Sequence, residues 1–137
     1  VRGEPCPKPT RSTRQYKKRA YDQEKRLERQ LNEAGMPAKR VYASGAAKGI
    51  GQDGDVDAAW FLAECKSYTP VVVGGAKSLR LPIEWLDKII REGQLHGKPG
   101  LVVMQPKGSH RAFVVCDRDQ FIELMGRAYR ATRGEDL

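Results

Sequence analysis

Tyr16, Ala20, Glu24, Leu27, Leu31 and Ala34 recur at steps of three and four, the repeat that gathers side chains on one face of an α-helix. This spacing predicts a helix over residues 13–34, stopped by Gly35 and Pro37. Beyond it the polar and apolar positions change rhythm. "KRVYAS" reads as a short strand, "GAAKGIGQDG" as a glycine-rich loop, and "GDVDAAWFLAECKS" as a strongly apolar strand-like run. "SYTPVVVGGAKSLRLP" mixes strand and loop character. Pro82 suits the first turn of a helix through about Leu95, where its missing N–H has no partner to lose. "GLVVMQ" and "RAFVVC" are two strands joined by "PKGSH" as a hairpin. Asp117 is placed to cap a last helix over "RDQFIELMGRAYRA". No internal repeat is visible.

Helices that interrupt runs of strands predict an α/β fold with one central mixed β-sheet flanked by helices. The expected organisation is a flexible basic arm over residues 1–12, one domain over 13–131 and a polar tail over 132–137.

The apolar run carries a contradiction. Asp55, Asp57, Glu64 and Lys66 all fall inside it, where a core strand has no use for charge. Strand alternation puts Phe61, Ala63 and Cys65 on one face, and Leu62, Glu64 and Lys66 on the other. Glu24 repeats the anomaly on the inner stripe of the first helix, since a buried carboxylate is costly unless paired or metal-bound. A salt-bridged strand end facing water, and a glutamate at the edge of its stripe, would be the ordinary explanations. Along one straight strand Asp55 and Glu64 would stand roughly 30 Å apart. A tight reversal near residues 58–61 would bring them onto adjacent strands, although the segment lacks the usual Gly or Asn.

Charge adds a direction. The 137 residues carry a net charge of +8. Residues 1–40 hold 12 Lys or Arg against 5 Asp or Glu, whereas residues 41–137 hold 13 against 12. A basic arm and first helix on a nearly neutral body suit a polyanion, nucleic acid above all. Cys6, Cys65 and Cys116 are too widely spaced for a zinc site or a disulfide framework. A reduced, cytoplasmic protein is expected, or a viral one acting inside a host cell. No apolar run reaches the roughly 18 residues of a membrane span, and no signal peptide is visible. His96 and His110 sit in unrelated places and read as surface residues.

Three carboxylates and a lysine brought to one point suit phosphodiester hydrolysis. Hard oxygen ligands match Mg²⁺, with Mn²⁺ as an alternative. Such an ion activates water and offsets charge on the reacting phosphate, and a lysine beside it orients water or steadies that charge. "GDV" with "ECK" resembles the PD-(D/E)XK nuclease signature. The longer series "EKRLERQLNEAG", "RVYASG", "GDV" and "AECKS" resembles the archaeal-type (Hjc-like) Holliday junction resolvases of that superfamily. The match covers about residues 14–67 well and the remainder more loosely.

The resemblance implies a restriction-endonuclease-like core and a Mg²⁺-dependent endodeoxyribonuclease, acting as a homodimer on four-way DNA junctions. Glu24 matches the helix acid, Asp55 and Glu64 the metal-binding acids, Lys66 the catalytic lysine and Ser44 the serine of the Ser-Gly loop. Arg40 matches a basic residue of the preceding strand. Cys65 stands where the family has a small apolar residue, and Asp55 and Glu64 are closely spaced, leaving Asp57 as a rival first acid. Arg14, Lys17, Lys18 and Arg19, with Arg40 and Lys48, are the expected DNA contacts. A restriction- or repair-type nuclease acting on duplex DNA, and a non-catalytic nucleic-acid-binding domain, are the competing readings.

Overall fold

The computed structural model describes residues 11–41 and 54–134, with side chains from residue 21. A long helix, α1 (Arg11–Glu33), leads to strand β1 (Ala38–Arg40). Strands β2 (Val56–Ala58) and β3 (Leu62–Tyr68) follow, then a separate two-stranded hairpin of β4 (Val71–Val73) and β5 (Ala76–Ser78). Helix α2 (Ile83–Leu95) precedes β6 (Gly100–Pro106) and β7 (Phe113–Val115), and α3 (Arg118–Thr132) closes the described chain.

Five strands form one sheet in the order β1-β2-β3-β6-β7. Only β3 and β6 run parallel; the other neighbours are antiparallel. The fold is therefore α/β with a mixed sheet flanked by helices, as the order of elements predicts. Connection lengths explain the mixture. β3 and β6 are joined through α2, a crossover long enough to return the chain in the same direction.

Alternation along β3 and β6 divides the core in two. Ala63, Cys65, Leu101 and Val103 pack with Val56, Ala58 and Phe61 on one face, covered by Leu27 and Leu31 of α1 and by Leu124 of α3. Leu62, Val102 and Met104 face the other way, onto Leu86 and Ile89 of α2. Two glycines permit the closest approach on this side. A Cβ on Gly100 would fall 2.3 Å from the Ile89 carbonyl oxygen, and one on Gly93 would fall 2.5 Å from that of Lys98.

α1 ends one residue short of the expected Ala34, which is exposed. Gly35 turns the chain at φ +94°, and Met36 N–H reaches back to the Leu31 carbonyl. Asn32 then fastens β1 to the helix, its amide donating to Ala38 O at 2.9 Å and accepting from Ala38 N at 3.2 Å. β1 ends at Arg40 where "KRVYAS" predicts a longer strand, and residues 42–44 lie outside the described part. Pro82 sits at the N-cap of α2, one position before its expected place, and Asp117 caps α3 by accepting from Gln120 N at 2.8 Å. Among the described residues no helix is long and apolar enough to cross a membrane.

Candidate functional site

The reversal that chemistry demands near residues 58–61 is present. Val56 pairs with Ala63 and Asp57 with Leu62, and Ala58 N–H donates to Phe61 O at 3.0 Å. Ala59 and Trp60 make the loop, without a non-glycine residue at positive φ. Primed turns, which need positive φ, are the usual two-residue hairpin loops. Here tertiary anchors hold the turn instead. Ala58 and Phe61 are buried on either side of it, and Ala59 N–H donates to Pro37 O at 2.8 Å.

Asp55 stands just before β2, its N–H donating to Ala63 O at 2.9 Å. Its Oδ2 accepts from Cys65 N at 2.8 Å, so a side chain continues the ladder where the backbone of β2 leaves it. Asp55 is thereby fixed beside the Ala63–Cys65 part of β3, next to Glu64. Gly54 makes this approach feasible. It holds φ +70°, and a Cβ there would press within 2.7 Å of Leu62 Cγ. Its N–H donates to Glu92 Oε2 at 3.0 Å.

Glu64 is 8 % exposed. Its Oε1 lies 3.4 Å from Lys66 Nζ, while Oε2 is buried and accepts no hydrogen bond from any described residue. Lys66 is half-buried, its ammonium 4.9 Å from the centre of the Trp85 ring, an attraction that holds the charge in place. Cys65 points to the opposite face, where burial, followed by the charge of Asp55, raises its thiol pKa. It is a packed core side chain.

Glu24 comes from the α1 side. Its Oε2 is 3.5 Å from Arg40 Nε. Burial, then the charge of Asp55, pushes its carboxyl up to about 7 against the lowering pull of Arg40, with Glu64 adding a smaller upward push. Glu24 is thus within electrostatic reach of both acids on the strands. Arg40, expected as a DNA contact, is 9 % exposed. Its guanidinium stacks 4.0 Å over Tyr21, and Glu28 Oε2 accepts from its backbone N–H at 2.6 Å. These contacts place it beside the candidate acids, as the counter-ion of Glu24.

Asp57, the rival of Asp55, is already engaged. Lys98 Nζ donates to its Oδ1 at 2.6 Å and to Ala58 O at 2.8 Å. That contact closes the hairpin onto the start of β6. Ser44 and Lys48 lie outside the described residues, as do the side chains of Arg14, Lys17, Lys18 and Arg19 on α1. His110 is exposed and His96 closes α2 as its C-cap.

Among the described residues no three of His, Cys, Asp and Glu converge closely enough to form a ready metal cage. The donor set at the strands is two carboxylates, which suits an ion that keeps several waters and uses one or two protein oxygens. Glu64 Oε2, without a partner among the described residues, is the atom such an ion would satisfy. Asp55 and Glu64 would hold it, with Glu24 next to them.

Three neighbours escape the sequence reading. Gln23 is 5 % exposed and donates from Nε2 to Val103 O at 3.2 Å, with Oε1 buried and unpartnered among described residues. Lys98 is one of many lysines by sequence. Trp85 alone leaves a signal, because it precedes Leu86 and Ile89 on the inner stripe of α2. Comparison with family models, with curated proteins and with solved structures finds no match for the chain.

Proposed function

We propose that the chain is a Mg²⁺-dependent, structure-selective endodeoxyribonuclease of the PD-(D/E)XK type. It has a restriction-endonuclease-like core and resolves four-way DNA junctions by phosphodiester hydrolysis. One observation carries the reading. The β2–β3 hairpin sets Asp55 beside the Glu64–Lys66 pair, and a buried carboxylate oxygen of Glu64 has no hydrogen-bond donor among the described residues.

The chemistry follows from these positions. Bound Mg²⁺ supplies an activated water and neutralises charge on the reacting phosphate. Asp55, beside the central strand β3, and Glu64, on that strand, would hold the ion. Lys66, 3.4 Å from Glu64 and resting on Trp85, presents an ammonium that holds water or phosphate oxygen in line. Arg40 keeps Glu24 turned toward the acids. The basic first helix supplies affinity through phosphate contacts.

Two copies would supply the paired nicks that resolution needs. α3 offers a surface for pairing. Phe121, Ile122, Met125 and Tyr129 are between 44 and 62 % exposed, and α3 has no buried residue. Its first half carries Asp119 and Glu123 with Arg118, after the N-cap Asp117, and its second half Arg127 and Arg130, before the C-cap Arg133. Two such helices packed antiparallel about a two-fold axis set acid against base at both ends.

Purified protein incubated with a four-way junction and a matched duplex, with Mg²⁺ or with EDTA, tests the activity. Mg²⁺-dependent nicking of the junction, abolished in Asp55→Ala and Glu64→Ala while DNA binding persists, is the expected result. Equal cutting of the duplex would move the reading to a restriction- or repair-type nuclease. Binding without metal-dependent cleavage would leave a nucleic-acid-binding domain.

A further inference from the structure

The β4–β5 hairpin and the β6–β7 connection enclose a groove of about 520 Å³ that the candidate site does not use. Lys77, Lys107 and Arg111 line it together with Tyr68, Phe113 and Ser109, and no carboxylate is among its lining residues. All three cations are exposed, and none takes part in an ion pair among the described residues. Three like charges held around one hollow repel each other, and an anion relieves that repulsion.

The groove is shaped as well as charged. Arg111 lies 4.7 Å over the Phe113 ring and donates its backbone N–H to Ser109 Oγ at 3.0 Å, which settles the arm of the β6–β7 connection. Lys107 N–H donates to Tyr68 O at 2.8 Å, joining that connection to the end of β3. Tyr68 and Phe113 are each partly exposed, so aromatic faces and cations share one concavity. A duplex touches a protein chiefly through its phosphates, whereas an unpaired base also offers a π-face to stack. The position is equally specific. Tyr68 follows Lys66 by two residues on the same face of β3, roughly 7 Å along the strand.

We infer that this groove binds unpaired nucleotides of a DNA strand, with phosphates on Lys77, Lys107 and Arg111 and a base against Phe113. The strand would continue from the phosphate held near Lys66. Only that continuation rests on the nuclease reading; the groove's own ligand chemistry does not.

Fluorescence anisotropy of a labelled oligothymidylate, titrated across a salt series in EDTA, tests it, with a matched duplex as the second arm. The combined Lys77→Ala, Lys107→Ala, Arg111→Ala variant should bind the single strand at least tenfold more weakly. Its salt slope should fall by about two, near 0.7 per lost phosphate contact. Phe113→Leu, measured well below its melting temperature, should lose about tenfold for the single strand, with unchanged slope and unchanged duplex binding. Wild-type affinity and slope in the triple variant would overturn the proposal. So would equal single-strand and duplex losses in the triple variant with no effect of Phe113→Leu, which would leave a plain backbone contact. EDTA keeps metal chemistry out of the measurement. A wild type that never cuts DNA in Mg²⁺ but passes this test sinks the nuclease reading and leaves the groove standing.

Discussion

Glu24 owes its chemistry to where the fold places it. In the unfolded chain it titrates near 4.5, and in the folded one near 7. Between those values the folded state keeps a proton that the unfolded state releases. The linked stability is therefore full below about pH 4.5 and lost as pH rises through 7. One proton sets a ceiling on the order of 3 kcal/mol for the effect. Wild type should lose stability relative to Glu24→Gln as pH rises from about 5 to about 8, read by urea melts at each pH. Parallel profiles would show that Glu24 is ionised throughout. Asp57 makes the opposite case, a carboxylate with a fixed partner in Lys98. Asp57→Asn should cost about 1–2 kcal/mol of stability and leave nicking intact, whereas Asp55→Asn should abolish nicking. Reversed outcomes would exchange the two roles. Lys66→Ala should slow cleavage with metal still bound, and Arg should rescue it poorly because its planar fork differs from a compact ammonium.

At the scale of elements, the β2–β3 hairpin decides whether a site exists. Its entry at Gly54 needs positive φ, and Leu62 leaves no room for a Cβ. Gly54→Ala should destabilise by about 1–3 kcal/mol from backbone strain alone, with a further penalty from the contact. Thermal melts with a Mg²⁺ titration check it. Lower stability with weaker Mg²⁺ binding is expected, because the displaced segment carries Asp55. Strands β3, β6 and β7, helix α2 and the cap of α3 were legible from composition and punctuation, whereas β4 and β5 lay in a segment that mixes strand and loop character. The β2–β3 hairpin was legible only as a chemical requirement. "DAAWF" lacks turn residues, and what closes it is the burial of Ala58 and Phe61 with a bond from Ala59 to Pro37, a contact between segments distant in sequence.

For the whole molecule, the exposed apolar stripe of α3 is the surface on which the proposed two-fold pairing rests. Sedimentation velocity should show a dimer whose affinity falls sharply in Met125→Glu, since a charge at the centre of an apolar contact is desolvated without a partner. A wild type that stays monomeric at high concentration would end the two-fold model. Neutralising Arg14, Lys17, Lys18 and Arg19 together should flatten the salt slope of junction binding by roughly two to four units, with single-turnover cleavage at saturating protein retained.

Local spacing determined which residues can be helix or strand and which charges are out of place there. A period of three to four marked α1, apolar runs marked β3 and β6, and the charge imbalance raised the expectation of a polyanion partner. These properties belong to neighbouring residues and survive in any arrangement of the elements. Tertiary structure decided the rest. It buried Arg40 and paired it with Glu24, tied Asp57 to Lys98, and set Lys66 on Trp85. It also gathered Lys77, Lys107 and Arg111 around one groove from segments 30 residues apart and more. Each is a pairing across the sheet or between layers, and the energy of such a pairing depends on distances that sequence order does not contain.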